Sequence, residues 1–122
     1  MADDQEKYEM LKEVCQRIYD KKGFNIIALD VRGVSTLTDF FVIAEGNVEK
    51  HVQALSKHTY DLFEQKGIRP LHIEGESAGD WVVLDAGDVI VHIFRPEIRS
   101  FYNLEKIWSI EVSDETTKIS IS

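Results

Sequence analysis

The chain has 122 residues, of which 43% are hydrophobic and 30% are charged, and this is enough for one compact domain and too little for two. Its longest strongly apolar stretches have the length of strands, so no segment is expected to span a membrane. The formal net charge is −8 and no segment gathers the Lys and Arg residues that grip nucleic-acid phosphates, which favours a basic protein as partner. The acidic N-terminal segment lacks the pattern of a secretory signal and Cys15 is the only cysteine, so we expect a cytoplasmic protein.

Three segments carry apolar residues at the spacing of three and four that is typical of amphipathic helices. The first helix is predicted over about residues 5–21. A second follows Asn47, which is expected to cap it, and ends at Gly67, a residue suited to a left-handed helix stop. A third begins at Arg95 and Pro96, because proline fits the first turn of a helix.

Five apolar or β-branched runs of strand length separate these helices, at residues 24–31, 39–45, 70–74, 81–85 and 88–94. The first two are expected to pair with each other, and the last two to form a hairpin around Ala86 and Gly87. The long crossover between the second and third runs allows a parallel pair. We therefore predict an α/β (α+β) fold, with a single domain over residues 1–109 whose mixed sheet of about five strands is covered by helices. The polar tail, residues 110–122, is expected to be mobile or to form a weak edge strand.

The hairpin carries the clearest functional signal. A two-residue loop places three pairs on one side of it: Asp85 with Asp88, Val83 with Ile90, and Trp81 with His92. The other side is wholly apolar and is expected to be core: Val82, Leu84, Val89, Val91 and Ile93. No Lys or Arg occurs between Arg69 and Arg95, so the first side combines an indole with a local excess of acid. This composition predicts a patch that binds a basic protein.

Three other interpretations of this side stay open on the residues alone. Trp81 has an alternative place in the core beneath the last helix, which would leave Asp85 and Asp88 as ordinary turn residues. Those two acids, with His92, could instead hold a divalent ion in a nucleotidyltransferase or phosphoesterase, although acids that flank a turn fit this less well than acids that alternate along a strand. The hairpin or the terminal strand could also pair with a second copy in a homodimeric scaffold.

Outside the hairpin, the sequence offers little that is typical of catalysis. It has no glycine-rich phosphate loop. Cys15 lies at helical spacing among apolar residues and is expected to be a buried structural thiol. His51 and His58 share one side of the second helix without a third ligand and are expected at the surface. We therefore predict a protein without enzymatic activity, cofactor or metal.

The start of the last helix gathers three polar side chains, those of Arg95, Arg99 and Tyr102. Arg99 is expected to pair with Asp85 or Asp88, with contact to a phosphate as the alternative.

Three long motifs stand out when the chain is read as a whole. They are IIALDVRGVSTLTDFFVIAEG at Ile26 to Gly46, DWVVLDAGDVIVHIF at Asp80 to Phe94, and RSFYNLEKIWS at Arg99 to Ser109. The spaced pattern W-x-x-x-D-x-G-D-V-x-V-H-x-F followed by R-x-x-Y-x-L-E-x-x-W is too long to arise by chance. Over about residues 8–109 the chain resembles the ribosomal silencing factor family, also called Iojap-like proteins.

The resemblance implies a nucleotidyltransferase-like topology without catalytic residues. It also implies a translational repressor that binds the large ribosomal subunit through ribosomal protein L-fourteen, blocks the small subunit sterically and lowers translation when nutrients are short. No sequence-specific nucleic-acid contact and no membrane contact are implied. The implied contact residues are Trp81, Asp85, Asp88, His92, Arg99 and Tyr102, and Val83 lies among them on the predicted patch. One departure is Ala86, where the family often has a larger residue such as tyrosine.

Overall fold

The computed structural model of the chain describes residues 4–33, 38–102 and 117–120, and for residues 4, 100–102 and 117–120 it describes the backbone alone. The helices are α1 Asp4–Asp20, α2 Glu49–Gln65 and α3 Pro96–Tyr102. The strands are β1 Phe24–Asp30, β2 Phe40–Glu45, β3 His72–Glu74, β4 Trp81–Asp85, β5 Val89–Phe94 and β6 Thr117–Ser120. The three helices and the first five strands follow one another in the order that the sequence patterns predict.

The strands form one mixed sheet in the order β3-β4-β5-β2-β1-β6. The predicted antiparallel pairs β1–β2 and β4–β5 are confirmed, and so is the α/β class with its mixed sheet. The parallel pair is β2–β5, whereas the crossover was expected to allow one between β2 and β3, the next strand along the chain. All six residues of β2 and of β5 are buried, and fully buried strands belong at the centre of a sheet. The short, more exposed β3 lies at the edge instead.

A sixth strand extends the sheet beyond the five expected. Residues 117–120 of the polar tail form β6, which pairs antiparallel with β1 from Ile27–Ser120 to Asp30–Thr117. The predicted domain boundary at residue 109 lies outside the described residues.

The main core lies between the sheet and the two long helices. Helices α1 and α2 pack on one side of the sheet, and the residues of the hairpin that were expected to be core are buried there, each at most 1% exposed. On the other side of the sheet, Ile98 of α3 and Trp81 of β4 both pack against the buried pair of Ile43 and Phe94. Helices therefore lie on both sides of the sheet, but the second side carries only the short α3 among the described helices.

The helix ends follow the expected chemistry with one exception. Gly67 adopts a φ of +75° just beyond α2, as predicted. The helix begins after Val48 rather than at Asn47, and no side chain caps it. The ring of His51 instead bonds back to the segment before the helix, because its Nδ1 accepts a hydrogen bond of 2.9 Å from the backbone N–H of Asn47. Its Nε2 lies 2.9 Å from the carbonyl oxygen of Lys21, so His51 also joins α2 to the end of α1.

Candidate functional site

The candidate site is the side of the β4–β5 hairpin that faces away from α1 and α2. We call it the hairpin face and define it by Trp81, Val83, Asp85, Ile90 and His92. The pairing across the hairpin is Trp81 with Phe94, Val83 with His92 and Asp85 with Ile90, so the predicted register is wrong by two residues. The Ala86 N–H bonds to the carbonyl oxygen of Val89 at 2.9 Å, so the two-residue turn lies at Gly87 and Asp88 and not at Ala86 and Gly87. Since side chains alternate with a period of two, the shift changes partners but keeps the residues of β4 and β5 on their predicted sides. Asp88 is the exception, because it lies in the turn beside Lys7 of α1 and not opposite Asp85.

Trp81 and His92 form the centre of the hairpin face. The indole Nε1–H donates a hydrogen bond of 3.1 Å to Nδ1 of His92, and the indole packs edge-on against Phe94. His92 is buried, at 8% exposure, and burial lowers its pKa from 6.5 to about 4. The imidazole is therefore neutral at pH 7, with its proton on Nε2 because Nδ1 is the acceptor. Trp81 is half-buried, so it combines a structural hydrogen bond with a surface that a partner can contact.

The two acidic residues of the turn are held by neighbouring groups. Asp85 Oδ1 accepts a hydrogen bond of 2.9 Å from Gly87 N–H. A carboxylate oxygen of Asp88 lies 3.8 Å from Lys7 Nζ, which is 2.7 Å from Asp39. Both carboxylates are half-buried and held by these contacts, so the negative charge of the turn is partly exposed and fixed in position. Within the described ranges, no three His, Cys, Asp or Glu residues are grouped so that they could hold a metal ion.

Arg99 pairs inside the protein, as expected, but with a different acid. Its Nη1 lies 2.7 Å from Oε2 of Glu45 and donates to the carbonyl oxygen of Asn25 at 3.2 Å. Both side chains of the ion pair are buried, at 11% and 6% exposure. Glu45 is the last residue of β2 and lies opposite Phe94, the last residue of β5, and α3 begins just after Phe94. Asp85 and Asp88 lie at the other end of the hairpin, so Arg99 does not pair with them. Arg99 thus fastens α3 to the sheet.

Tyr102 is the last residue of α3, and its side chain lies outside the described part of the chain. Cys15 is fully buried, as predicted, and burial raises the pKa of its thiol to about 12.

Two residues that were not predicted from the sequence lie beside the hairpin face. Strand β3 pairs with β4 so that His72 is opposite Asp85 and Glu74 is opposite Val83. Paired residues point to the same side of a sheet, so both exposed side chains extend the hairpin face by one strand. The alternation of polar and apolar residues from His72 to Glu74 indicates that His72 and Glu74 share one side of β3. Only the register of β3 with β4 shows that this side is the hairpin face.

No helix within the described residues is long and apolar enough to cross a membrane.

Comparison with known proteins gives one consistent family. Residues 4–122 match the family model described as "Ribosomal silencing factor during starvation". A protein from Bacillus subtilis (strain 168) named "Ribosomal silencing factor RsfS" is 41% identical over 99 residues, which are 81% of this chain and 84% of that protein. A mouse protein named "Mitochondrial assembly of ribosomal large subunit protein 1" is 31% identical over 75% of this chain and 41% of its own length.

The fold agrees with this assignment. A crystal structure of a protein from Chromobacterium violaceum matches with a TM-score of 0.81 and 33% identity, over 85% of this chain and 87% of that one. The family model spans nearly the whole chain, so the shared sequence and the shared fold cover the same domain. The chain belongs to the family of ribosomal silencing factors.

Proposed function

We propose that this chain is a cytoplasmic translational repressor that binds the large ribosomal subunit through ribosomal protein L-fourteen and keeps the small subunit from joining. Family membership supports a role in translational silencing. The name of the mouse relative mentions the large ribosomal subunit, which supports that subunit as the binding partner.

The observation that carries the proposal is the composition of the hairpin face. It places the half-buried indole of Trp81 beside Val83 and the carboxylate of Asp85, and no cationic residue occurs between Arg69 and Arg95. An aromatic side chain supplies contact area that loses water on binding, while carboxylates guide and orient a basic partner. Ribosomal proteins are commonly basic, so this face suits a ribosomal protein better than RNA.

The mechanism we propose needs occupancy and no reaction. A folded domain on the surface that meets the small subunit makes the two binding events mutually exclusive, so repression follows the fraction of large subunits occupied. The arrangement of the turn supports binding over phosphoryl transfer, because Asp85 bonds to its own turn and Asp88 lies beside Lys7.

Co-sedimentation with purified large subunits tests the role of the turn charges. Asp85→Asn with Asp88→Asn removes two charges, and the amide oxygen at position 85 can still accept the hydrogen bond from Gly87. We expect this double variant to bind large subunits about tenfold more weakly, and added salt to weaken the wild-type chain in the same direction.

The matched control for this test is Glu9→Gln with Asp20→Gln, which removes the same charge from exposed positions of α1. This control should bind as the wild-type chain does. Equal binding by the wild-type chain and the Asp85/Asp88 variant would mean that the turn charges take no part in docking.

A further inference from the structure

A second surface, distinct from the hairpin face, lies on the other side of β3. Two adjoining cavities of about 400 and 310 Å³ follow α2, and Tyr60 and Glu64 line both of them. The first reaches Ile73 and Glu76, and the second reaches Arg69. Because residues 69 and 76 flank β3, the two cavities form one groove along this strand, which we call the α2–β3 groove.

Strand β3 is an edge of the sheet. Its inner side pairs with β4, and no described strand pairs with its outer side. An unpaired edge offers backbone N–H and C=O groups to an extended peptide, and a groove next to the edge receives alternate side chains of that peptide. Here the half-buried Tyr60 and Ile73 pack on the main core and supply an apolar wall of the groove.

The groove is held open at one end by the chain itself. The side-chain amide of Gln53 on α2 donates hydrogen bonds to the carbonyl oxygens of Glu76 and Ser77, at 2.9 and 3.0 Å. These bonds fix the loop after β3 against α2. A peptide therefore meets a preformed groove and does not have to order this loop, which lowers the entropic cost of binding.

The charges around the groove select the kind of peptide. Three acids line the first cavity, Asp61, Glu64 and Glu76, and its one cation, Lys57, lies 3.8 Å from Asp61. The second cavity adds one cation, Arg69, while Glu74 places an exposed carboxylate on the opposite side of β3. Two copies of this chain paired edge to edge would bring these acids together, so self-pairing is disfavoured. A cationic strand meets the opposite sign of charge.

We propose that the α2–β3 groove binds an extended protein segment rich in Lys or Arg, which adds a strand to β3. This interaction is separate from the hairpin face and does not depend on the function proposed above. The main-chain bonds of β3 hold the segment, small apolar side chains pack on Tyr60 and Ile73, and the surrounding carboxylates select cationic side chains.

Fluorescence anisotropy with three labelled octapeptides tests this proposal on the full chain. The first alternates Lys and Val, the second alternates Glu and Val, and the third is the Lys–Val peptide with N-methyl groups on every second backbone nitrogen. We expect the first to bind at least about tenfold more tightly than the other two, because it alone has both the charge and the backbone donors. Equal affinity of the N-methylated peptide, or no binding of the first, would overturn the proposal.

A double variant locates the binding. Glu64→Lys with Glu76→Lys should weaken the Lys–Val peptide about tenfold, while Glu9→Lys with Asp20→Lys, which makes the same charge change on α1, should leave it unchanged. Equal loss in both variants would place the peptide elsewhere and contradict the groove. Loss of ribosome binding in the Asp85/Asp88 variant with normal peptide binding separates the two surfaces.

Discussion

His92 lies under the indole of Trp81 and has no charge at pH 7 because burial lowers its pKa to about 4. The same histidine titrates near 6.5 in the unfolded chain. Below pH 6.5 the unfolded chain therefore binds a proton that the folded chain does not. Stability is fully present above pH 6.5 and falls as the pH drops toward 4, by about 3 kcal/mol for this one group.

Replacing His92 by glutamine removes this titration. We expect the loss of melting temperature between pH 7 and pH 4.5 to be smaller in His92→Gln than in the wild-type chain, as measured by circular dichroism. Identical losses in the wild-type chain and His92→Gln would contradict the assignment of a buried neutral imidazole.

The buried ion pair of Glu45 and Arg99 makes a second prediction at this scale. Glu45→Ala leaves the guanidinium of Arg99 buried without its carboxylate, and removing one partner of a buried pair costs about 3 kcal/mol. Lys57→Ala breaks an exposed pair with Asp61 and should cost less than about 1 kcal/mol. Urea denaturation measures both. A similar small loss in the two variants would show that the Glu45–Arg99 pair adds little to the attachment of α3.

Glycine positions decide the turns that join the elements. Gly75 follows β3 with a φ of +85°, and a Cβ atom there would lie 2.0 Å from the carbonyl oxygen of Trp81. Gly67 has a similar φ of +75°, but a Cβ atom would meet nothing within 4 Å. The two positions thus share the backbone strain of a left-handed conformation and differ in the clash.

This difference gives a prediction at the scale of the elements. Gly67→Ala should lower the free energy of unfolding by about 1 kcal/mol, which is the cost of the left-handed conformation alone. Gly75→Ala should cost at least about 2 kcal/mol more, because the backbone of β4 must move to admit the methyl group. Urea denaturation of the two variants checks the order. Equal costs would mean that β4 yields to the methyl group without loss.

Much of the element order could be predicted from the sequence, because the apolar spacing of α1 and α2 and the alternation in β4 and β5 are local signals. The sides of β4 and β5 were predicted correctly although their register was wrong, since a shift of two residues preserves the alternation. Strands β2 and β5 were predicted, but their parallel pairing was not. This pairing depends on the order in which β3, β4 and β5 are placed in the sheet after the α2 crossover, and that order has no local sequence signal.

The candidate site shows the same division between local and long-range information. Trp81, Val83 and Asp85 were placed on one side from alternation alone. The partner of Arg99 was predicted wrongly, because Glu45 is 54 residues away in the chain and reaches Arg99 only through the β2–β5 pairing. Contacts of this kind carry no local sequence signal.

At the scale of the whole molecule, the chain is one mixed sheet with α1 and α2 on one side and the hairpin face on the other. The large helices bury the main core, while Trp81, Val83 and Asp85 stay partly exposed on the opposite side of the sheet. In the account proposed here, a domain of this kind acts as a spacer, since its bulk keeps two ribosomal subunits apart once it is bound. The degree of repression then depends on concentration and affinity.

The most direct measurement mixes purified large and small subunits with increasing amounts of the chain and follows the joined particle by sucrose-gradient sedimentation. The account predicts that the joined fraction falls as the chain co-migrates with the large subunit, and that Asp85→Asn with Asp88→Asn needs about ten times more protein for the same effect. A joined fraction that stays constant while the large subunits are fully occupied would contradict it.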